Sequence, residues 1–204
     1  MYNVKELNDY RKFLCFVFNW TRSLTLVKKI VFTIGIACLT GLSAHVKVIL
    51  PWTPVPITMQ TFFVLLAGVL LGRTWGGMSQ VIYVGLGMLG IQWFAGGSIL
   101  GPTGGYLVGF ILTAFFLGYV IDRYVNLRNF ASIFLLMFFA NLFLVYIPGL
   151  VQLGVYLYAI KGSFPGLTVL LTMGFFPFIP GIFIKTTLAA AVAAGIMPNE
   201  NADF

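Results

Sequence analysis

Residues 130–160, FASIFLLMFFANLFLVYIPGLVQLGVYLYAI, contain no charged side chain. A helix of about 20 predominantly apolar residues is long enough to cross the hydrocarbon core of a bilayer. This stretch exceeds that length, so it predicts a helix that crosses a membrane. Pro148 and Gly149 predict a kink within it, because proline lacks the backbone N–H that continues the ladder of helical hydrogen bonds.

The composition of the whole chain agrees with a membrane protein. Of the 204 residues, 60% are hydrophobic and only 8% are charged, whereas a soluble domain carries about 25% charged residues. So few charges cannot cover a surface that faces water, and lipid must therefore surround most of the chain. Six helices of about 20 residues would use roughly 120 residues, which leaves room for loops but not for a separate soluble catalytic domain.

Turn signals divide the chain into six predicted transmembrane helices, and we predict an all-α integral membrane protein. The breaks are a proline-rich loop (residues 51–56), a glycine-rich loop (residues 95–105), a charged loop (residues 122–129) and several shorter turns. The predicted spans are residues 26–48, 58–71, 78–94, 106–121, 130–160 and 181–196. They form one membrane domain, residues 26–197, which follows a cytoplasmic interfacial segment, residues 1–25, and precedes a C-terminal tail, residues 198–204.

Basic residues predict the orientation. With the N-terminus in the cytoplasm, only Lys47 and Lys161 fall on the outer side and Lys185 falls within a span, while every other Lys and Arg is cytoplasmic. This bias predicts that both termini are cytoplasmic. The proline-rich loop, the glycine-rich loop and residues 161–180 then lie outside. Irregular backbone at membrane depth is tolerated where it lines a cavity, so we predict a binding site open to the outside.

Several classes of function are disfavoured by the residues that the sequence lacks. His45 is the single histidine, and Asp122 is the only acidic residue between the two terminal segments. Acid–base catalysis needs a positioned pair of such groups, so we predict that the chain is not an enzyme, with no metal site and no cofactor. The net charge of +7 is scattered along the chain, so nucleic acid is not a predicted partner.

Lys185 is the most informative single residue. It lies within the last predicted span, where a lysine costs about 2.5–3.5 kcal/mol on insertion scales. Such a residue is predicted to bind the carboxylate of a substrate. The alternative is a lysine whose side chain reaches a lipid headgroup or caps a backbone carbonyl.

The two unusual loops supply further candidates for ligand binding. Glycine lets the backbone approach a ligand closely, although a plain turn would also explain the glycine-rich loop. The proline-rich loop is stiff and leads to two polar side chains, which either bind the ligand or cap and join helices. The candidates in these loops are Pro54, Pro56, Thr58, Gln60, Gly96, Gly97, Thr103, Gly104 and Gly105.

Aromatic side chains near the outer ends of the spans give another set of candidates. Belts at the membrane–water interface explain most of them, and only some are needed to line a pocket. The predicted lining residues are Tyr83, Phe94, Tyr106 and Tyr146. Ala37 and Gly41 form a small-residue face on the first span, which either packs within the subunit or docks a partner subunit.

Four motifs, in this order along the chain, resemble the BioY family. They are PVPITMQT (54–61), LAGVLLG (66–72), GMLG with FAGG (87–90 and 94–97) and GPTGGYL (101–107). That family comprises the biotin-specific substrate-binding subunits of energy-coupling factor (ECF) transporters. The resemblance extends from about residue 30 to residue 195, and the ordered set is more specific than any single motif.

The resemblance implies a six-helix, ECF S-component-like fold in the cell membrane that binds biotin on its outer side. It also implies a membrane coupling subunit (EcfT-type) and two ABC ATPases as partners, with Ala37 and Gly41 as candidates for docking the coupling subunit. The lack of any ATP-binding motif in this chain fits that division of labour.

One position departs from the family pattern. The family has proline–glycine–aspartate and then lysine three residues later, whereas this chain has Pro180-Gly181-Ile182 and retains Lys185. The missing aspartate leaves the lysine without its nearest counter-ion, which either strengthens its hold on a carboxylate or alters specificity. An importer subunit for another carboxylated vitamin, and a non-transport membrane assembly protein, therefore stay open as alternatives.

Overall fold

The computed structural model describes residues 24–197, so the predicted C-terminal tail and nearly all of the predicted interfacial segment lie outside the described residues. The helices are α1 (Leu26–Ser43), α2 (Gln60–Met88), α3 (Gly104–Arg123), α4 (Phe130–Ala140), α5 (Tyr146–Lys161), α6 (Leu167–Gly174) and α7 (Ile179–Ile196), and the strands are β1 (Lys47–Val48) and β2 (Ile57–Thr58). Within this range, five helical stretches are long and apolar enough to cross a membrane: α1, α2, α3, α4 with α5, and α6 with α7. The prediction of an all-helical membrane fold is confirmed.

The helix α2 is folded back on itself at Gly72. This glycine has φ +77° and ψ −176°, which is not helical. The side-chain amide of Gln60 nevertheless donates to the hydroxyl of Tyr83, although 23 residues of straight helix would separate them by roughly 35 Å. Residues 60–71 and 73–88 are therefore antiparallel, and α2 is a hairpin. The sequence predicted a longer turn over residues 73–77, but one glycine is enough to make it.

The hairpin turn is held by the end of α3. Asp122 accepts a hydrogen bond from the backbone N–H of Arg73 at 2.9 Å, and this satisfies one of the free donors at a helix N-terminus. The guanidinium of Arg73 lies 5.2 Å from the centre of the Tyr119 ring. A carboxylate at the start of a helix also interacts favourably with the helix dipole. The single acidic residue among residues 24–197 thus has a structural role.

Replacing Gly72 with alanine is expected to destabilise the protein by about 1–3 kcal/mol, because its backbone conformation is nearly restricted to glycine. The matched control is Gly35→Ala, since Gly35 is exposed on α1 and an added Cβ would meet no atom within 4 Å. Heating both variants in detergent and measuring the folded fraction checks the prediction. Equal unfolding temperatures for Gly72→Ala and wild type would contradict it.

The kink predicted in residues 130–160 takes the form of a π-helix. Residues Asn141–Val145 are π-helical between α4 and α5, and Pro148 follows one turn later. Proline removes one backbone donor and its ring crowds the carbonyl four residues earlier, that of Leu144. A widened π turn accommodates this change and is frequent at functional sites. The irregularity therefore precedes the proline that causes it.

The three irregular segments meet at one end of the helical bundle. The strands β1 and β2 pair antiparallel, with Lys47 opposite Thr58. The first helix, α1, therefore ends at Ser43 and is shorter than the predicted span over residues 26–48. Thr53 donates to the backbone carbonyl of Met173, which links the proline-rich loop to the end of α6. Gln152 of α5 donates to the carbonyl of Gly101 at 3.4 Å, which holds the glycine-rich loop against the same end.

Candidate binding site

A cavity lies at the end of the bundle where these irregular segments meet. It is lined from the proline-rich loop, the first half of α2, the glycine-rich loop, α3, the π-helix and α7. The space between its lining atoms, with the open mouth included, is about 470 Å³. The lining residues are Val55, Pro56, Thr58, Gln60, Thr61, Ala95, Thr103, Tyr106, Leu107, Phe110, Val145, Tyr146, Phe178 and Lys185.

Half of the predicted site residues line this cavity. Those that do are Pro56, Thr58, Gln60, Thr103, Tyr106, Tyr146 and Lys185. Those that do not are Pro54, Tyr83, Phe94, Gly96, Gly97, Gly104 and Gly105. The second group lies in the same loops or directly behind the lining, so contact with a ligand stays a prediction for all of them.

Lys185 is the one cationic residue among those that line the cavity. Its residue is only 5% exposed, and its Nζ donates to the backbone carbonyl of Thr58 at 2.9 Å. Within residues 24–197 the single acidic side chain is Asp122. It lies at the turn of the α2 hairpin, whereas Gln60 and the cavity are at the open end of the hairpin. The ammonium group has three N–H donors, and only one has a partner among the described residues. Lys185 therefore does cap a backbone carbonyl, as the alternative interpretation allowed. Two of its N–H donors remain for an anion.

Ile182 lies where the family pattern has aspartate, and it is buried in the protein interior. It is 1% exposed, packs in the core and does not line the cavity. An uncharged side chain at this position leaves Lys185 without an internal counter-ion, as the sequence indicated. The replacement of aspartate by isoleucine at this position therefore lies next to the site, in the protein interior, and not on the cavity lining.

Gln60 and its neighbours form a polar network that fixes one wall. The Thr58 hydroxyl donates to Gln60 Oε1 at 3.2 Å, and Gln60 Nε2 donates to the Tyr83 hydroxyl. Tyr83 in turn donates to the Trp93 carbonyl at 3.3 Å, and the Trp93 indole donates back to the Tyr83 carbonyl at 3.1 Å. Tyr83 therefore stands behind the cavity wall and ties the two halves of α2 to the glycine-rich loop. Phe94 packs edge-on against it, with ring centroids 5.7 Å apart.

The opposite wall is aromatic. Tyr106 and Tyr146 meet edge to face with ring centroids 5.6 Å apart, and Tyr146 lies 5.9 Å from Phe178. The Tyr106 hydroxyl is anchored on the carbonyl of Gly174 at 2.9 Å. Edge-to-face pairs of this kind are favourable and rigid. This wall offers an apolar surface with fixed geometry to a ligand.

The predicted glycines act by allowing protein segments to approach one another closely. A Cβ added to Gly96 would overlap with the Thr103 hydroxyl, and one added to Gly104 would overlap with the Ile99 carbonyl. A Cβ added to Gly105 would overlap with the carbonyl of Pro148 on α5. Gly97 has φ +80°, a backbone conformation that glycine adopts readily in turns. The glycine-rich motif therefore shapes the loop and seats α3 against α5.

Sequence reasoning missed several lining residues, most of them apolar. They are Val55, Thr61, Ala95, Leu107, Phe110, Val145 and Phe178. A signal for two of them was present, because residues 103, 106, 107 and 110 have the spacing of one helix face. Once Thr103 and Tyr106 were candidates, that spacing pointed to Leu107 and Phe110. No comparable pattern marks Val145, since the π-helix alters the periodicity of its segment.

Ala37 and Gly41 face the interior of the subunit. Ala37 is fully buried, and a Cβ on Gly41 would overlap with the ring of Trp93. The structure therefore places these two residues in the internal packing arrangement that the sequence allowed as an alternative. Docking of another subunit by them stays an untested prediction.

Comparisons with known proteins agree on one family and one fold. A sequence model of the BioY family matches residues 16–201. The probable biotin transporter BioY of Methanothermobacter thermautotrophicus is 51% identical over 140 residues, which are 66% of this chain and 89% of that protein. The biotin transporter BioY of Thermotoga maritima is 36% identical over 149 residues, which are 71% of this chain and 82% of that protein. A crystal structure of the S-component for biotin from an ECF-type ABC transporter has the same fold, with a TM-score of 0.72 and 24% identity over 84% of this chain and 93% of that chain.

Proposed function

The chain belongs to the BioY family, and from this we propose that it is the substrate-binding membrane subunit of a biotin importer. The observation that carries the proposal is Lys185, a buried cation that lines an apolar cavity and has no carboxylate partner among residues 24–197. An ionisable residue held inside a membrane protein marks a functional site by default. The lysine would bind the carboxylate of biotin.

The rest of the cavity suits the other parts of biotin. Its bicyclic ring system and valerate chain are apolar and would pack against the aromatic wall of Tyr106, Tyr146 and Phe178. Its ureido group needs both donors and acceptors, which hydroxyl groups in the lining can supply. Pockets of this type combine a mostly apolar lining with a few placed polar groups.

The proposal includes six membrane crossings with both termini in the cytoplasm. Each half of the α2 hairpin would cross the membrane once, which gives two crossings. The other four long apolar stretches would cross once each. The positive-inside bias supports this orientation. The cavity would then open to the outside, where it can capture biotin before uptake. As a member of a transporter family with several membrane-spanning helices, the chain is a multi-pass plasma membrane protein and not an enzyme.

Energy for transport would come from other chains. The structural relative is the S-component of an ECF-type ABC transporter, so a membrane coupling subunit and two ABC ATPases are the proposed partners. The exposed face of α1 is a proposed docking surface for such a subunit. Val27, Val31 and Leu42 are each more than half exposed on it.

A second candidate is the import of a different carboxylated vitamin, and the observation that favours it is Ile182. The family pattern has an acidic group at this position, and the chain has a buried apolar side chain instead. A change beside the lysine can alter which polar groups of a ligand are satisfied. Competition between biotin and other carboxylated vitamins separates the two candidates.

We expect the detergent-purified protein to bind biotin with one-to-one stoichiometry in a calorimetric titration. The cavity presents a cation and an apolar wall, which match the carboxylate and the apolar body of this ligand. Lipoate and pantothenate are suitable comparison ligands, because each carries a carboxylate on a molecular framework different from that of biotin. Tighter binding of either one than of biotin would favour the second candidate, and no saturable binding of any of them would overturn both.

A further inference from the structure

Two threonines that line the cavity have buried hydroxyl groups without hydrogen-bond partners in the described part of the chain. Thr61, on the first turn of α2, and Thr103, at the start of α3, are each 7% exposed and line the cavity. The Oγ1 atom of each is buried and has no hydrogen-bond partner among residues 24–197. A buried polar group without a partner is costly, and unsatisfied groups in a native structure need an explanation. A ligand in the cavity would provide the missing partner.

The neighbouring polar side chains are already paired. The Thr58 hydroxyl donates to Gln60 Oε1 and accepts the Gln60 backbone N–H at 3.4 Å. The other polar atom of the Gln60 amide, Nε2, donates to Tyr83. The one hydroxyl proton of Thr58 is therefore used internally, and each polar atom of the Gln60 amide has one internal hydrogen bond. The hydroxyls of Thr61 and Thr103 keep their full hydrogen-bonding capacity among the described residues.

The glycine-rich loop leaves space for one of these hydroxyls. A Cβ on Gly96 would overlap with the Thr103 Oγ1 atom and would also come within 2.7 Å of its methyl group. The bare backbone of Gly96 therefore allows Thr103 to hold its position beside the cavity. This gives a reason for glycine at this position that does not require contact between Gly96 and a ligand.

We propose that the hydroxyls of Thr61 and Thr103 recognise the neutral hydrogen-bonding group of the ligand. The inference rests on the proposed biotin function, in which that group is the ureido ring. Each hydroxyl can donate one hydrogen bond and accept others, and a ureido group presents both a carbonyl oxygen and N–H groups. A carboxylate only accepts and is matched by Lys185. Thr58 and Gln60 are positioning residues that hold the wall in place.

The test compares Thr61→Val, which removes the hydroxyl at nearly constant volume, with Thr61→Ser, which keeps it. Thr113→Val is the matched control, because Thr113 is also buried in a helix with an unpartnered hydroxyl but does not line the cavity. We expect Thr61→Val to weaken biotin binding about five- to tenfold in calorimetry. Thr61→Ser and Thr113→Val are expected to stay within about twofold of wild type.

The same titrations with biotin methyl ester identify the ligand group involved, since the ester keeps the ureido ring and lacks the negative charge. The Thr61→Val loss is expected to persist with the ester. The inference is overturned if Thr61→Val binds biotin like wild type, if Thr61→Ser is as weak as Thr61→Val, or if the loss disappears with the ester. Absence of biotin binding by wild type would instead overturn the proposed function, and this inference with it.

Discussion

Replacing Lys185 with alanine is expected to weaken biotin binding at least about thirtyfold, which corresponds to about 2 kcal/mol. The ammonium group is buried in the cavity, and among residues 24–197 its one partner is the Thr58 carbonyl. A ligand carboxylate that enters this site loses its hydration, and without the lysine nothing in the lining neutralises it. Removing one member of a buried, hydrogen-bonded charge pair costs about 2–5 kcal/mol in measured complexes.

Two comparisons separate charge from other effects of this substitution. Lys161→Ala removes an exposed cation at the end of α5 on the same side of the bundle, and its affinity for biotin is expected to match wild type. Lys185→Met keeps most of the side-chain volume and is expected to lose as much affinity as Lys185→Ala. With biotin methyl ester the loss from either variant should shrink, because the ester has no charge to pair. Unchanged biotin affinity in Lys185→Ala would overturn the assigned role.

The fold was accessible from the sequence because its strongest signals are one-dimensional. Long apolar stretches, proline and glycine breaks and the distribution of basic residues predicted an all-helical membrane protein. The boundaries were less accessible where tertiary contacts decide them. Residues 44–48 look like a continuation of the first helix, but the pairing of β1 with β2 ends α1 at Ser43. The hairpin turn was predicted too long, since the cap from Asp122 to Arg73 depends on residues 49 positions apart.

The candidate site was accessible only in part, for a similar reason. Lys185 is an unusual residue for a membrane span, and Thr103 and the proline-rich loop lie in segments that interrupt the spans, so the sequence alone marks them. Phe110 and Val145 are ordinary apolar residues, and only the packing of α3 against the π-helix brings them to the cavity. Whether a polar side chain is free to bind also depends on its partners. The sequence marked Gln60 as polar, and only the structure shows that each polar atom of its amide has one internal hydrogen bond.

The glycine-rich motif gives the second prediction with a large effect. Replacing Gly105 with alanine is expected to destabilise the protein by about 1–3 kcal/mol or more, because overpacking forces the backbone to shift. The added Cβ would overlap with the Pro148 carbonyl and come within 2.6 Å of the Gln152 Cβ. A backbone carbonyl cannot rotate away as a flexible side chain can, so α3 and α5 would have to separate.

Gly85→Ala is the matched control for this substitution. Gly85 is half-buried in the second half of α2, and an added Cβ would meet no atom within 4 Å. Alanine in such a helical position is expected to stabilise the protein by up to about 1 kcal/mol. Heating each purified variant in detergent and measuring the monodisperse fraction should give opposite shifts, downward for Gly105→Ala and upward for Gly85→Ala. Because Tyr106 on α3 and Tyr146 on α5 form the aromatic wall, separation of these helices should also weaken biotin binding in Gly105→Ala. A Gly105→Ala variant that unfolds at the wild-type temperature would show that close packing of α3 on α5 is not what this glycine provides.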